Sequence, residues 1–309
     1  MKKISAVIPV YNSEPCLDEL CRRLSESLKK TAEDFEIILV DDNSRDHSWD
    51  KIETLFLANP KIRGIRLTRN CGQHNALLCG IRQARHAIII TLDDDLQNPP
   101  EEIEKLLAKM DQGFDVVYGT PEIPQHSFWR NQTSVVTKIV LQKSMEAETA
   151  RHISSFRAFR TEIRNAFACY SGSFVNIDVL LTWGASKFSS VFVRHNPRTS
   201  GASQYTLGKL MVHSLNMITG FSTLPLQLAS FLGFALTFFG CLIFIYVMAR
   251  WLIQGSVVPG FPFLASIIAI FSGAQLFALG IIGEYLARIY FLAMKKPSYV
   301  IGANLAQEK

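Results

Sequence analysis

The sequence predicts an α/β protein with a parallel β-sheet covered by helices on both faces, followed by two helices that cross a membrane. Short apolar runs alternate with stretches of helical periodicity through the first 120 residues, which is the pattern of a parallel sheet. Polar clusters follow four of these runs. Two apolar blocks, each longer than 20 residues, come after residue 221.

The first part of the chain supplies the elements of this sheet. Strands are predicted at residues 4–8, 35–40, 62–67, 87–92 and 115–118, and helices at 15–30, 48–58, 75–85 and 100–112. The middle is less regular, with predicted helices at 135–145 and 175–182 and a strand at 191–194. A membrane-proximal amphipathic helix is expected at about 205–220. The domain is therefore expected to span residues 1–220.

The two apolar blocks are predicted to be transmembrane helices at residues 224–249 and 261–287. A helix needs about 20 apolar residues to cross the hydrocarbon core of a bilayer. The alternative is a pair of buried core helices. Such helices keep a polar face, which residues 234–247 lack almost entirely.

Basic residues flank the two spans unevenly. Lys209 precedes the first span, and three basic residues follow the second: Arg288, Lys295 and Lys296. The connecting turn has only Arg250, at its edge. Because lysine and arginine accumulate on the cytosolic side of spans, the N-terminal domain and a tail at residues 288–309 are expected in the cytosol. The chain is then a multi-pass protein of the cell inner (plasma) membrane.

The overall composition limits the class of partner. The formal net charge is +5, and the chain has no nucleic-acid-binding motif, so nucleic acid is not expected as a partner. Basic residues near the spans favour contact with the lipid bilayer, through anionic headgroups or phosphates. The six cysteines show no metal-type spacing and are expected to be reduced thiols.

Three consecutive carboxylates, Asp93, Asp94 and Asp95, follow the fourth predicted strand. Their mutual repulsion disfavours folding unless a cation offsets it, and oxygen ligands suit Mg²⁺ or Mn²⁺. Asp93 and Asp95 project to one side and Asp94 to the other if the backbone stays extended. Gln97 is a candidate to complete the metal shell. The alternative is a helix cap before the prolines at 99 and 100, which one carboxylate would satisfy.

Polar residues also follow the first three strands. Asp42 is suited to accept hydrogen bonds from a base or ribose, or to cap the next helix. Tyr11 is suited to stack on a nucleobase and Glu14 to reach a ribose hydroxyl, although both also suit an ordinary turn. Gly72 lets backbone N–H groups approach a phosphate at the following helix N-terminus. Open parallel sheets bind ligands at this edge. The predicted nucleotide-binding residues are Pro9, Tyr11, Asn12, Glu14, Asp42, Gly72, Gln73 and Asp94.

A basic set follows in the middle of the chain. The Gly/Ser-rich loop at residues 198–205 begins with arginine and lies just before the membrane-proximal helix. Arginine, hydroxyls and flexible backbone together suit a phosphate, and the position suits a phosphate carried on a lipid. For any single arginine the alternative is a solvated surface charge. The predicted residues for the acceptor or leaving phosphates are Arg130, Arg157, Arg198, Ser203 and Tyr205.

These motifs resemble those of family 2 glycosyltransferases of the dolichyl- or undecaprenyl-phosphate type. The resemblance is carried by residues 8–12, 41–44 and 93–101 and by the loop with Arg198, Gly201 and Ser203. Residues 69–74 and 273–290 are especially similar to undecaprenyl-phosphate 4-deoxy-4-formamido-L-arabinose transferases, and dolichyl-phosphate mannose synthases share the general pattern. The resemblance covers almost the whole chain.

The resemblance implies a GT-A fold, a nucleotide-binding α/β sheet with an acceptor-side extension. Mg²⁺ or Mn²⁺ would lie between the donor diphosphate and Asp93, Asp95 and Gln97, and the catalytic residues would be Asp93, Asp95 and Arg198. The implied reaction is inverting transfer of one sugar from a nucleotide sugar, with uridine as the expected nucleoside, to undecaprenyl or another polyprenyl phosphate. It would take place at the cytosolic membrane face and serve cell-envelope glycan or lipopolysaccharide modification.

The chain departs from the family pattern in one segment. Relatives usually carry Asp-x-x-Ser-Gly-Phe-Arg, whereas residues 151–157 read Arg-His-Ile-Ser-Ser-Phe-Arg, and Gln204 replaces a common lysine. No carboxylate base is available there, which leaves the sugar open.

Two rival functions remain at this point. A processive polysaccharide synthase would usually carry a Gln-x-x-Arg-Trp motif, which the sequence lacks. An inactive membrane scaffold for a flippase or transferase complex would not need the Asp93/Asp95 pair. Ala269 and Gly273 are spaced for close helix packing, a hint of a homo-oligomer.

Overall fold

A computed structural model of the chain describes residues 2–121, 152–172, 174–196, 223–254 and 260–306. The chain forms two compact units, Met1–Leu210 with Lys295–Lys309, and Met211–Met294. The predicted helices at 135–145 and 205–220 lie outside the described residues.

The first unit is built on an eight-stranded sheet in the order β7-β5-β6-β4-β1-β2-β3-β8. The strands are β1 Lys2–Val10, β2 Ala32–Asp41, β3 Ile62–Leu67, β4 Ile88–Thr91, β5 Val116–Pro121, β6 Arg157–Arg160, β7 Phe188–Val193 and β8 Ile301–Leu305. Strand β1 lies between β4 and β2 and is parallel to both, with Ala6 opposite Ile90 on one side and Ile37 on the other. Because parallel strands end at the same edge, this arrangement gathers the polar clusters that follow β1, β2 and β4.

Helices cover both faces of the central strand. They are α1 Glu14–Thr31, α2 Ser48–Ala58, α3 Gln73–Gln83, α4 Ile103–Met110 and α5 Ile177–Leu181, with 3₁₀ turns at Pro100–Glu102 and Thr161–Phe167. The apolar stripe of α1, including Leu17 and Leu24, packs with Ile4 and Ile8 in the main core. Helix α3 packs on the other face so closely that a methyl group on Gly80 would overlap Val7. The predicted two-layered covering of the sheet is confirmed.

The strands that were predicted all run parallel to one another, but the sheet is mixed because it includes two further strands that were not predicted. Strand β6 is antiparallel to β4 and β5, and β8 is antiparallel to β3. Strand β6 has four residues with an arginine at each end, too short and too polar to show strand periodicity. Strand β8 lies within the segment predicted only as a tail, and its alternating half-buried and exposed residues are those of an edge strand.

The second unit contains two long helices, α6 Leu224–Gln254 and α7 Phe261–Ala293. Their most apolar stretches, Pro225–Arg250 and Ile270–Ala293, are long enough to cross a membrane. In the 18-residue apolar segment of each stretch, only 6% and 0% of the residues, respectively, are buried. Such exposure of apolar side chains differs from that of core helices and is typical of lipid-facing ones. Helix α7 continues past its predicted end at residue 287 because residues 288–293 keep the helical pattern.

The two long helices pack against each other, and Gly240 lies at one of their contacts. A methyl group on Gly240 would lie 3.2 Å from Cζ of Phe271. Gly273 has open space at its Cβ position, so it is not the residue that brings α6 and α7 together. Homo-oligomerisation through Ala269 and Gly273 stays a prediction.

Candidate active site

Asp94 ties the end of β4 to the end of β1. Its Oδ2 accepts hydrogen bonds from the backbone N–H of Tyr11 at 3.2 Å and from the Ser13 hydroxyl at 2.5 Å. Desolvation of the carboxyl raises its pKa to about 6, these two hydrogen bonds oppose the shift, and the charges of Asp93 and Asp95 add to it. Asp94 was predicted to bind nucleotide. Its contacts show that it organises the loop after β1.

Asp42 ties the end of β2 to the loop before α3. Its two carboxylate oxygens accept the backbone N–H groups of Cys71 and Gly72, each at 2.7 Å. Burial raises the pKa of Asp42, while these two bonds lower it. Gly72 has φ of 91°, a conformation that favours glycine. Each oxygen of Asp42 keeps a second lone pair, so the predicted contact with a base or ribose stays compatible with this placement.

Asp93 is held from two sides. Gln73, the first residue of α3, donates its side-chain N–H to Oδ1 at 2.6 Å. The Ser155 hydroxyl donates to Oδ2 at 2.5 Å. Gln73, predicted as a nucleotide ligand, thus contacts the carboxylate that was predicted to hold the metal.

The backbone beyond β4 does not stay extended. The strand ends at Thr91, residues 94 and 95 form a turn, and Leu96 has φ of 59°. Side chains alternate between two sides only where the backbone is extended. The argument that alternation places Asp93 and Asp95 on one side is therefore wrong for this turn. The Gln97 backbone N–H donates to Asp95 Oδ1 at 3.2 Å, and its carbonyl accepts from Asn196 at 2.8 Å.

The oxygen atoms of this turn fit a divalent-cation site in which substrate phosphates supply the remaining ligands. Among the residues that the structure describes, no group of three or more histidine, cysteine or acidic side chains could hold a metal by itself. Asp93 and Asp95 are both half-buried, with oxygen donors at the end of β4. Mg²⁺ and similar cations commonly bind through one or two carboxylates together with substrate phosphates, which is the set that Asp93 and Asp95 can supply.

Comparison with known proteins identifies the family of this chain. The model of the family described as "Glycosyl transferase family 2" matches residues 5–179. The protein belongs to glycosyl transferase family 2. It is 35% identical to the undecaprenyl-phosphate 4-deoxy-4-formamido-L-arabinose transferase of Pseudomonas savastanoi, over 97% of this chain and 90% of that protein. It is 36% identical to the enzyme of the same name from Photorhabdus laumondii, over 100% of this chain and 96% of that one.

A solved structure shares the fold of this glycosyltransferase. The glucosyl-3-phosphoglycerate synthase of Mycobacterium tuberculosis, crystallised with Mn²⁺, UDP and phosphoglyceric acid, superimposes with a TM-score of 0.52. The match covers 71% of this chain and 76% of that one at 15% sequence identity. At this identity the likeness shows the fold alone. The sheet of this glycosyltransferase is of the GT-A type, as the family resemblance implied.

Asn12 joins the loop after β1 of this family 2 enzyme to the loop after β2. It has φ of 54°, its N–H donates to the Ser44 hydroxyl at 3.0 Å, and its Oδ1 accepts the Arg45 N–H at 2.8 Å. The Glu14 N–H donates to Asp46 at 3.2 Å. These hydrogen bonds hold Tyr11 and Glu14 at the end of β1, where both side chains are half-buried. Pro9 is buried in β1 beside Val40, a position within the sheet.

Arg157 of the glycosyltransferase has a structural partner. The side chain is only 1% exposed, forms an ion pair with the carboxylate of Asp178, and donates to the Thr91 hydroxyl at 3.1 Å. The Tyr118 hydroxyl also donates to Asp178, at 3.2 Å. A guanidinium so enclosed is engaged by protein groups, which speaks against its predicted role as a direct phosphate ligand. The other predicted phosphate-binding residues, Arg130, Arg198, Ser203 and Tyr205, lie outside the described residues.

Two contacts of the site were missed by sequence reasoning. Ser13 and Ser155 each donate a hydroxyl to one of the consecutive aspartates. Ser13 lies beside the Tyr11-Asn12 motif, and Ser155 lies in the segment that departs from the family pattern. The only signal was their position next to motifs, because a serine has no periodicity or charge that reveals its partner.

Proposed function

We propose that this glycosyltransferase moves one sugar from a nucleoside diphosphate sugar to undecaprenyl or another polyprenyl phosphate. The observation that carries the proposal is the pair of oriented carboxylates at one sheet edge: Asp93, held by Gln73 and Ser155, and Asp95 in the adjoining turn. The names of relatives that match nearly the whole chain support the lipid phosphate as acceptor.

The donor is proposed to be a UDP-sugar. Tyr11, Glu14 and Asp42 would contact the uridine. The diphosphate would lie near Gly72 and the N-terminus of α3, where backbone N–H groups and the helix dipole favour negative charge. The 11 residues of α3 are long enough for that dipole to contribute.

A divalent cation, Mg²⁺ or Mn²⁺, is proposed to be held by Asp93, Asp95 and Gln97. When bound, it would stabilise the negative charge that grows on the leaving diphosphate. The protein's own contribution is to orient the carboxylates in advance, so that little reorganisation accompanies the reaction.

The acceptor needs positioning more than deprotonation. A phosphate monoester has a second pKa of about 6 and is mostly dianionic at neutral pH, so the absence of aspartate from residues 151–157 does not remove an essential base. Arg130, Arg198, Ser203 and Tyr205 are proposed to hold the phosphate. One of its oxygens forms a bond to the anomeric carbon as the bond from that carbon to the diphosphate oxygen breaks, which inverts the configuration.

The two long helices are proposed to cross the plasma membrane, with the sheet domain in the cytosol. Arg288 near the end of the second helix, with Lys295 and Lys296 after it, supports this orientation. Anchoring would keep the active site near its lipid acceptor and raise the effective concentration of the phosphate. The product would serve modification of cell-envelope glycan or lipopolysaccharide.

The test uses the full chain in lipid nanodiscs with undecaprenyl phosphate and a panel of UDP-sugars. We expect UDP release and a lipid product carrying one sugar by mass spectrometry, both abolished by EDTA and restored by Mg²⁺ or Mn²⁺. Asp95→Ala should lose transfer, while Glu19→Ala, a change on the exposed face of α1, serves as the matched control. A ladder of products with many sugars would identify a processive synthase. Absence of transfer from every donor would favour a scaffold.

A further inference from the structure

We propose that Ser155 is a positioning residue that fixes the metal-binding geometry of Asp93, together with Gln73. The inference rests on the proposed function, because it takes Asp93 as a cation ligand. Ser155 precedes β6 and Gln73 begins α3, so two separate elements converge on one carboxylate.

The geometry suits an oriented ligand. One donor contacts each oxygen of Asp93, at 2.6 Å from Gln73 and 2.5 Å from Ser155. Two donors on opposite oxygens restrict rotation of the carboxylate, and a carboxylate oxygen can accept a hydrogen bond and still coordinate a cation. Both donors are uncharged, so they orient the carboxylate without cancelling the negative charge that attracts the cation.

Ser155 is itself held by contacts with buried residues. Its carbonyl accepts the Thr91 hydroxyl at 2.7 Å, and Thr91 accepts from Arg157 at 3.1 Å. Arg157 is paired with Asp178 and is 1% exposed, while Thr91 is fully buried. This chain of contacts connects a buried ion pair to the serine that orients Asp93. The described contacts thus assign the predicted phosphate ligand Arg157 a supporting position behind the site.

Outer hydrogen-bond partners of metal ligands have measurable effects. Loss of such a partner typically reduces metal affinity or activity about 10- to 100-fold.

The experiment measures Mn²⁺ binding by electron paramagnetic resonance of free Mn²⁺, with the full chain in detergent and saturating UDP. We expect Ser155→Ala to raise the Kd for Mn²⁺ about 10-fold or more, and Ser155→Thr, which keeps a hydroxyl, to restore most of the affinity. Ser154→Ala is the matched control. It removes a neighbouring hydroxyl whose described contact is with the Phe156 N–H, at 3.2 Å, and not with Asp93.

A Ser155→Ala protein that unfolds at the wild-type temperature and binds Mn²⁺ within twofold of wild type would overturn the proposal. An equal loss in Ser154→Ala would also overturn it, because the effect would then be a general disturbance of the turn. Failure of the wild type itself to bind Mn²⁺ in the presence of UDP would instead overturn the metal site of the proposed function. The two failures are therefore distinguishable.

Discussion

The Ser13 hydroxyl and the Asp94 carboxylate are joined by a 2.5 Å hydrogen bond across 81 positions of sequence. Ser13 precedes α1 but does not cap it with its side chain. The hydroxyl therefore serves the contact between the ends of β1 and β4. Since both strand ends contribute to the candidate site, this bond links the stability of the domain to the shape of the site.

Ser13→Ala tests that contact. Removing the hydroxyl leaves a partly desolvated carboxylate with one donor fewer, which typically costs about 1–3 kcal/mol of unfolding free energy. Denaturant unfolding in detergent measures the loss. The control is Ser13→Thr, which retains a hydroxyl and should lose less. Equal stability of wild type and Ser13→Ala would contradict the importance of the bond.

Gly72→Ala should impair nucleotide binding as well as stability. Gly72 has φ of 91° and open space at its Cβ position, so alanine would introduce backbone strain of about 1–3 kcal/mol without a clash. The strain would displace the N–H groups that hold Asp42. We expect weaker UDP binding, measured by calorimetry.

Gly113→Ala is the matched control for Gly72→Ala. Gly113 has φ of 92° and equally open space, but it follows α4 and has no contact with the candidate site among its described interactions. Both variants should lose similar stability, and only Gly72→Ala should lose UDP affinity. Equal loss of affinity in the two variants would show that strain alone, and not the loop geometry, affects binding.

The buried pair of Glu36 and Arg63 predicts a pH dependence of stability. Glu36 accepts from Arg63 at 2.8 Å and from the Ser5 hydroxyl at 2.7 Å. Although burial raises the pKa of Glu36, these hydrogen bonds outweigh it and hold the pKa below the ordinary value of 4.5. A lowered folded-state pKa gives stability that is present above pH 4.5 and is lost as the pH falls through the folded pKa.

Glu36→Gln should therefore cost about 3–5 kcal/mol at neutral pH, because it leaves a buried guanidinium without its charge partner. The difference from wild type should shrink as the pH falls below 4.5. Unfolding free energies at pH 7 and pH 4 provide the measurement. A difference that does not change with pH would argue against an ionised Glu36.

Burial makes two thiols unreactive. Cys21 and Cys79 are buried, and desolvation raises the pKa of each to about 12. At pH 8 the thiolate would be about one part in ten thousand, and the reagent would have no access. We expect maleimide to modify the exposed Cys169 and to spare Cys21 and Cys79 until the protein is denatured, as read by peptide mass spectrometry. Modification of all three at one rate in the native protein would contradict the described packing.

The central strands were predictable because each is a run of apolar residues with polar residues at its end. The predicted strand at 62–67 coincides with β3. Strand β6 was missed because its four residues, with an arginine at each end, are too few and too polar to show strand periodicity. The pairing of Arg157 with Asp178, 21 positions away, also has no signal in the local sequence. Strand β8 did carry a signal, since Ile301, Ala303 and Leu305 alternate with Gly302 and Asn304.

The candidate site was predictable as a set of strand ends and not as a set of contacts. Asp42 and Asp93 follow apolar runs, so their place at one edge follows from the parallel sheet. Their partners depend on turns: Gly72 at positive φ presents an N–H to Asp42, and Leu96 at positive φ bends the chain after Asp95. Because tertiary packing sets the geometry of such turns, the sequence pattern does not reveal the hydrogen-bond partners of Asp42 and Asp93.

The pairing of β8 with β3 has a consequence for how the protein is made. Residues 301–305 leave the ribosome after both long helices, yet they occupy the edge of the sheet beside Gly64 and Ile65. The sheet of the catalytic unit therefore reaches its full width only after both long helices have been synthesised. A fragment cut before residue 224 would expose the backbone N–H and C=O groups of β3, the kind of open edge that promotes aggregation.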